Sequence, residues 1–292
     1  INEVQKEIGS TVKVQGFIEN LRNSKYMAFI VLKDITGKLQ ITVEKEDHPE
    51  LVDTIDKLTP DSVITVTGKV MENDYVKMGG VEMIPESIEI ESIANALPIV
   101  RKEIAATKKK KAVERSSIDQ RIDYRWIDLR TDENQLMFKA QSCFVNAMRK
   151  FLLDRNFIEI HTPKLIAAAS ESGSEVFKVD YFDRNAYLAQ SPQFYKQMAM
   201  AAGFERIFET GPVFRAEKSY TNKHSTEFSG FDLEFSYITS YKDVMKMEEE
   251  LLTAGLQAVK ESYGDQIKEL FGQEVIVPTT PFPVVKLADL YK

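Results

Sequence analysis

Between residues 12 and 91 the chain alternates apolar and polar side chains in short β-rich runs, a period that commits the segment to strands with one face turned inward. The runs are 12–18, 28–34, 38–43, 62–70, and 81–84 leading into 87–90. Asp34-Ile35-Thr36-Gly37, between the second and third, carries a hairpin-turn signal. One segment breaks the alternation: His48–Leu58 has its apolar residues at helical spacing and stands between the third and fourth runs.

Five short strands with a helix after the third predict a small OB-type β-barrel over residues 1–95, a scaffold that often holds oligonucleotides. The pattern alone is equally that of a barrel without a ligand. Residues 96–130 change character, with Pro98, the run Lys108 to Lys111, and arginines at 101, 115, 121, 125 and 130. This stretch reads as a hinge, its lysines either solvated or touching phosphates nonspecifically. A net charge of −7 argues against a protein that coats nucleic acid with its whole surface, so any basic patch is local. Residues 131–292 open with a predicted helix at 133–155. The segment 156–163 then runs extended into Pro163, with strands expected at 186–189, 207–213 and 231–237 and helices at 193–202 and 241–262. Strict βαβ alternation is missing, so the expected class is α+β, an antiparallel sheet with flanking helices. No run approaches eighteen uninterrupted apolar residues and no basic-then-apolar leader opens the sequence, which predicts a soluble, cytoplasmic protein without a membrane partner. The single cysteine, Cys143, has no partner for a disulfide and no neighbouring zinc ligand, and is expected as a core thiol.

Four separated segments, in order, are similar to the class II aminoacyl-tRNA synthetases, and within them to the aspartyl branch of archaeal and eukaryotic type. They are the barrel region, Arg121–Arg130 (RIDYRWIDLR), Asn156–Lys164 (NFIEIHTPK, the end of the family's first motif), and Pro212–Glu217 (PVFRAE, its second), with Gln190–Lys196 (QSPQFYK) between the last two. The resemblance spans the chain and implies ATP-dependent joining of L-aspartate to tRNA, with ATP and Mg²⁺ as cofactors and a homodimer through the first motif. It makes Arg215 the catalytic cation, gripping the substrate carboxylate and the α-phosphate, a task suited to a planar guanidinium that never loses its charge. By the same resemblance Glu217 accepts from the adenine amino group, while His224 approaches the triphosphate from the loop and Glu227 helps to orient it. A side-chain carboxylate needs a cation in its pocket because an unpaired buried charge is costly, and Lys196 fits that need. Gln193 and Ser191 are expected beside it, Glu171 and Asp232 at the substrate ammonium, and 169–175 as a loop closing over the amino acid. The family usually reads Glu-Gly-Gly where this chain has Glu171-Ser172-Gly173.

On the barrel, the resemblance matches Phe29 to a stacking platform for unstacked anticodon bases, with Gln40 and Glu82 as base-edge readers and Arg22 as a phosphate or base contact. Alternation alone would instead make Phe29 a core residue of the second strand. The partner tRNA is tRNA(Asp), with tRNA(Asn) left open. Glu19 falls where discrimination between them is expected. The family's third motif, a glycine-rich strand and helix ending in arginine, has no counterpart here: after residue 264 the only glycine is Gly272, and the acidic magnesium ligands are missing too. No metal ligands are expected in this segment, which reads as a fragment inactive on its own. The rival readings are an asparaginyl enzyme, otherwise very similar but without this lysine, and a non-catalytic tRNA-binding paralogue, which has no need of an amino-acid pocket.

Overall fold

The computed structural model describes residues 1–103, 112–170, 175–218, 221 and 223–290. The lysines at 108–111 and Glu171 lie outside the described residues. The chain divides into two compact units, Ile1–Tyr124 and Arg125–Lys292.

In the first unit the five predicted strands form: β1 (Thr11–Asn23), β2 (Met27–Lys33), β3 (Lys38–Glu44), β4 (Val63–Glu72) and β5 (Val81–Ser92). They close into a barrel in the order β1-β2-β3-β5-β4, sealed between β3 and β5 by a two-residue parallel contact, Gln40 with Glu82 and Ile41 with Met83. Alternation sends Ile18, Ala28, Ile30, Leu32, Leu39, Ile41, Val66 and Met83 inward. The helical segment after β3, a 3₁₀ turn at Pro49–Leu51 followed by α1 (Val52–Ile55), adds Leu51 and Ile55 to the same core. At the predicted hairpin, Asp34 Oδ1 accepts from the Thr36 N–H at 2.7 Å and the Gly37 N–H at 2.8 Å, closing the turn with a side chain. The stretch expected as a hinge holds two short helices, α2 (Ile118–Asp123) and α3 (Arg125–Asp128), and the boundary between the units falls between them.

The second unit is the expected α+β arrangement. Helix α4 (Asp132–Leu153) leads to β6 (Ile158–Glu159) and β7 (Leu165–Ile166), then the hairpin β8 (Lys178–Tyr181) and β9 (Arg184–Leu188), and helix α5 (Gln193–Ala201). The long antiparallel pair β10 (Arg206–Phe214) and β11 (Glu227–Phe235) follows, then α6 (Tyr241–Phe271). Two three-stranded sheets result, β11-β10-β6 and β7-β9-β8. Nine residues of β10 pair with nine of β11, while β6 adds a two-residue parallel contact. Helix α6 starts at a capping box, Ser240 with Asp243, and ends where Gly272 adopts φ 66°. Phe208, Phe231, Leu233 and Phe235 meet Met148 and Leu152 of α4 and Leu251 of α6, so one face of the β10–β11 pair is covered by helices. Cys143 is only half-buried, its thiol 3.7 Å from the Ser262 hydroxyl, which corrects the core-thiol expectation: α4 turns this position toward the α6 surface rather than into the sheet. Among the described residues no helix is long and apolar enough to cross a membrane.

Candidate functional site

Because strand side chains alternate, covering one face of β10–β11 with helices leaves Glu209, Gly211, Val213, Phe228, Gly230 and Asp232 on the other. There they line a cavity of about 100 Å³ together with Lys164, Ser191 and Arg215. Gly211 and Gly230 stand opposite each other in the ladder. A Cβ on either would meet its nearest side-chain atom at 3.6 Å, an ordinary contact. Glycine is therefore not forced here by crowding, and its effect is to leave the cavity floor bare.

Two groups of opposite charges stand at the cleft. Glu209, 5% exposed, accepts from the Thr162 N–H and hydroxyl, both at 2.7 Å, and pairs with the Lys164 ammonium at 2.9 Å. Burial pushes its pKa up, but the Thr162 and Lys164 donors outweigh burial and hold it below the ordinary glutamate value. Lys196, on α5, donates to Asp232 Oδ1 at 2.8 Å and lies 3.2 Å from Glu234 Oε2. Burial disfavours its charge, yet the two carboxylates prevail and raise its pKa. Arg215 follows directly on β10, anchored by its backbone N–H to the Thr226 carbonyl at 2.9 Å, with its guanidinium 5.7 Å from the Phe228 ring centre.

Of the residues singled out in the sequence, Arg215, Ser191 and Asp232 line the cavity, and Lys196 reaches it through Asp232. Gln193 is the first residue of α5, its N–H on the Ser191 hydroxyl at 3.3 Å, one turn ahead of Lys196. Glu217 is exposed, as is His224, whose Nδ1 lies 2.6 Å from the Thr221 hydroxyl. Glu227 opens β11 opposite Phe214, and alternation sets it on the other face from Phe228. None of these three lines the cavity. Sequence reasoning gave no site role to Lys164, Glu209, Phe228 or the glycine pair. Counting back from Arg215 in steps of two would have put Glu209 on its face; the Lys164 partnership has no local signature. Among the described residues no group of three or more His, Cys, Asp or Glu side chains is placed to hold a metal ion.

A second constellation lies on the outside of the barrel. Phe29 faces outward, since its neighbours Ala28 and Ile30 take the interior, which corrects the core reading that alternation alone suggested. Register places Arg22 opposite Phe29, and Gln40 opposite Glu82. The Arg22 guanidinium is 5.9 Å from the Phe29 ring centre. Glu82 accepts from Gln40 at 3.3 Å, from the Thr42 hydroxyl, and from Asn73 at 2.8 Å. Glu19, at the bulge in β1, pairs with Lys38 at 2.8 Å and lies 3.9 Å from Lys33.

Residues 117–292 match the family model for class II tRNA synthetases (D, K and N), and residues 12–91 match the OB-fold nucleic acid binding domain. The chain belongs to the class II tRNA synthetases. This synthetase chain is 44% identical over 276 residues to an aspartate–tRNA(Asp/Asn) ligase of Methanopyrus kandleri, covering 94% of the chain and 62% of the relative. It is 41% identical to an aspartate–tRNA(Asp) ligase of Picrophilus torridus, covering 88% of the chain and 58% of the relative. The chain thus spans about three fifths of the length of these curated relatives. Among solved structures, asparaginyl-tRNA synthetase from Pyrococcus horikoshii complexed with asparaginyl-adenylate superposes with a TM-score of 0.82 at 30% identity, over 92% of this chain and 59% of that one. The aspartyl-tRNA synthetase of Entamoeba histolytica gives 0.77 at 30% identity, over 94% and 58%.

Proposed function

We propose that this synthetase chain forms the anticodon-binding barrel and part of the catalytic domain of an aspartate–tRNA ligase. Lys196 carries the reading. Its ammonium stands 2.8 Å from Asp232, a carboxylate that lines the same cavity as Arg215, and there a substrate with a side-chain carboxylate has an anion to offer it and an asparagine has not. The names of the curated relatives support aspartate as well. The rival asparaginyl reading is favoured by the superposition on the Pyrococcus horikoshii enzyme and weakened by Lys196.

In the proposed reaction a carboxylate oxygen of aspartate attacks the α-phosphorus of ATP and pyrophosphate leaves; a ribose hydroxyl of tRNA then attacks the acyl carbon and AMP leaves. Arg215 spans the reacting carboxylate and phosphate and stabilises the charge that builds there. Asp232 and Glu171 take the substrate ammonium, Lys196 with Gln193 and Ser191 the side chain, and Glu217, His224 and Glu227 the nucleotide. Mg²⁺ is expected to neutralise the ATP phosphates. The outer barrel face, with Phe29, Arg22, Gln40 and Glu82, takes the anticodon of tRNA(Asp), with tRNA(Asn) a further candidate. A cytoplasmic homodimer completes the proposal. The test is saturation-transfer NMR on the chain with L-aspartate, L-asparagine and L-lysine. A signal from aspartate that Lys196→Met abolishes is expected; asparagine binding as well as aspartate in the unaltered chain would sink the assignment.

A further inference from the structure

We propose that Glu234 is a specificity-determining residue of the amino-acid cleft, a built-in carboxylate that competes with the substrate side chain for the Lys196 ammonium. The proposal rests on the reading of this cleft as an aspartate site and adds what sets its preference for acid over amide.

The Lys196 side chain is 14% exposed and sits between two carboxylates, Asp232 Oδ1 at 2.8 Å and Glu234 Oε2 at 3.2 Å. One cation against two anions leaves this group a net charge of −1. Lys164 and Glu209 neutralise each other at 2.9 Å, and the Arg215 guanidinium, which also lines the cavity, lies over the Phe228 ring and is taken by the reacting carboxylate and phosphate in the proposed reaction. Asp232 and Glu234 are two residues apart on β11 and share a face, yet only Asp232 lines the cavity. When an amino acid enters, its ammonium replaces Lys196 as the partner of Asp232, so that contact is exchanged and not lost. Nothing on the substrate compensates Glu234. An aspartate side chain must then share Lys196 with a like charge, whereas an asparagine amide meets no such repulsion. Glu234 thereby holds Lys196 charged and oriented in the empty cleft and tempers its discrimination in the filled one.

The 292-residue chain tests this through acylation of Lys196 by a pulse of acetic anhydride, read by peptide mass spectrometry, with and without each amino acid. In Glu234→Gln the empty-site acylation rate should rise several-fold. The aspartate concentration that half-protects Lys196 should fall about tenfold, as expected on removing one like charge a few ångströms away in a partly buried site. The asparagine value should stay within about twofold, and Glu234→Asp should restore the original behaviour. A structural role alone would weaken both amino acids together. Aspartate protection in the unaltered chain without the gain in Glu234→Gln overturns the role of Glu234 and leaves the aspartate reading standing. Protection by neither amino acid in either protein overturns both.

Discussion

Glu209 is a carboxylate that this chain can bury only because Thr162 and Lys164 satisfy it. Glu209→Gln should leave the Lys164 ammonium half-buried without its counterion and cost about 2–4 kcal/mol at neutral pH. Its folded pKa lies below the ordinary value, so the unfolded chain binds the proton more readily and the contribution is complete above the unfolded pKa. Thermal melts of the two proteins should therefore converge as pH falls through about 4 and below. Phe29 belongs to the same scale. It contributes no side chain to the barrel core, so Phe29→Ala should leave the melting temperature within about 2 °C. Affinity for an RNA hairpin carrying the aspartate anticodon should drop roughly 5- to 100-fold, the effect of one lost base–aromatic stack; unchanged binding in a titration would remove Phe29 from the interface. Phe29 was legible as an aromatic strand residue, but its face depended on knowing which neighbours the barrel takes inside.

Among the elements, the five barrel strands, α4, α6 and β10 were readable from the sequence, because each buries part of its surface in a core; α5 and β11 were expected too, although none of their residues is fully buried. The short pieces β6, β7 and α3 were not, since two to four residues carry no period; tertiary pairing makes them. Glycine marks where elements touch. A Cβ on Gly68 of β4 would come within 2.3 Å of the Ile84 carbonyl oxygen and 2.7 Å of the Pro85 Cα on β5. Gly68→Ala should force those strands apart and cost more than about 2 kcal/mol, read as a lowered urea midpoint. In α6, a Cβ on Gly255 would stand 2.6 Å from the Phe144 ring of α4. Helix propensity favours alanine there by about 1 kcal/mol and overpacking opposes it by about 1–3 kcal/mol. Gly255→Ala should on balance destabilise; a raised midpoint would mean that Phe144 yields without cost. A glycine inside a periodic pattern announces a close approach but not the partner.

On the scale of the whole molecule, each unit has its own core, Ile18, Ile30, Ile41 and Val66 in the barrel and Phe208, Leu152 and Leu251 in the second unit. A polypeptide of residues 1–103 should therefore fold by itself and melt in one cooperative transition; a featureless melt would show that the barrel depends on the rest of the chain. The sequence by itself determined the two-part plan, the periods that assign each side chain to a face, and the ordered motifs that mark the synthetase family. Period fixes a face because backbone geometry repeats every 2 or 3.6 residues whatever surrounds it. Only the tertiary structure decided which faces meet: Lys196 with Asp232 across 36 residues, Gln40 with Glu82 across 42, Thr162 with Glu209 across 47. Those pairings depend on strand register and on where the loops return, which are settled by burial of the two cores and by the need to give buried charged and polar groups their partners.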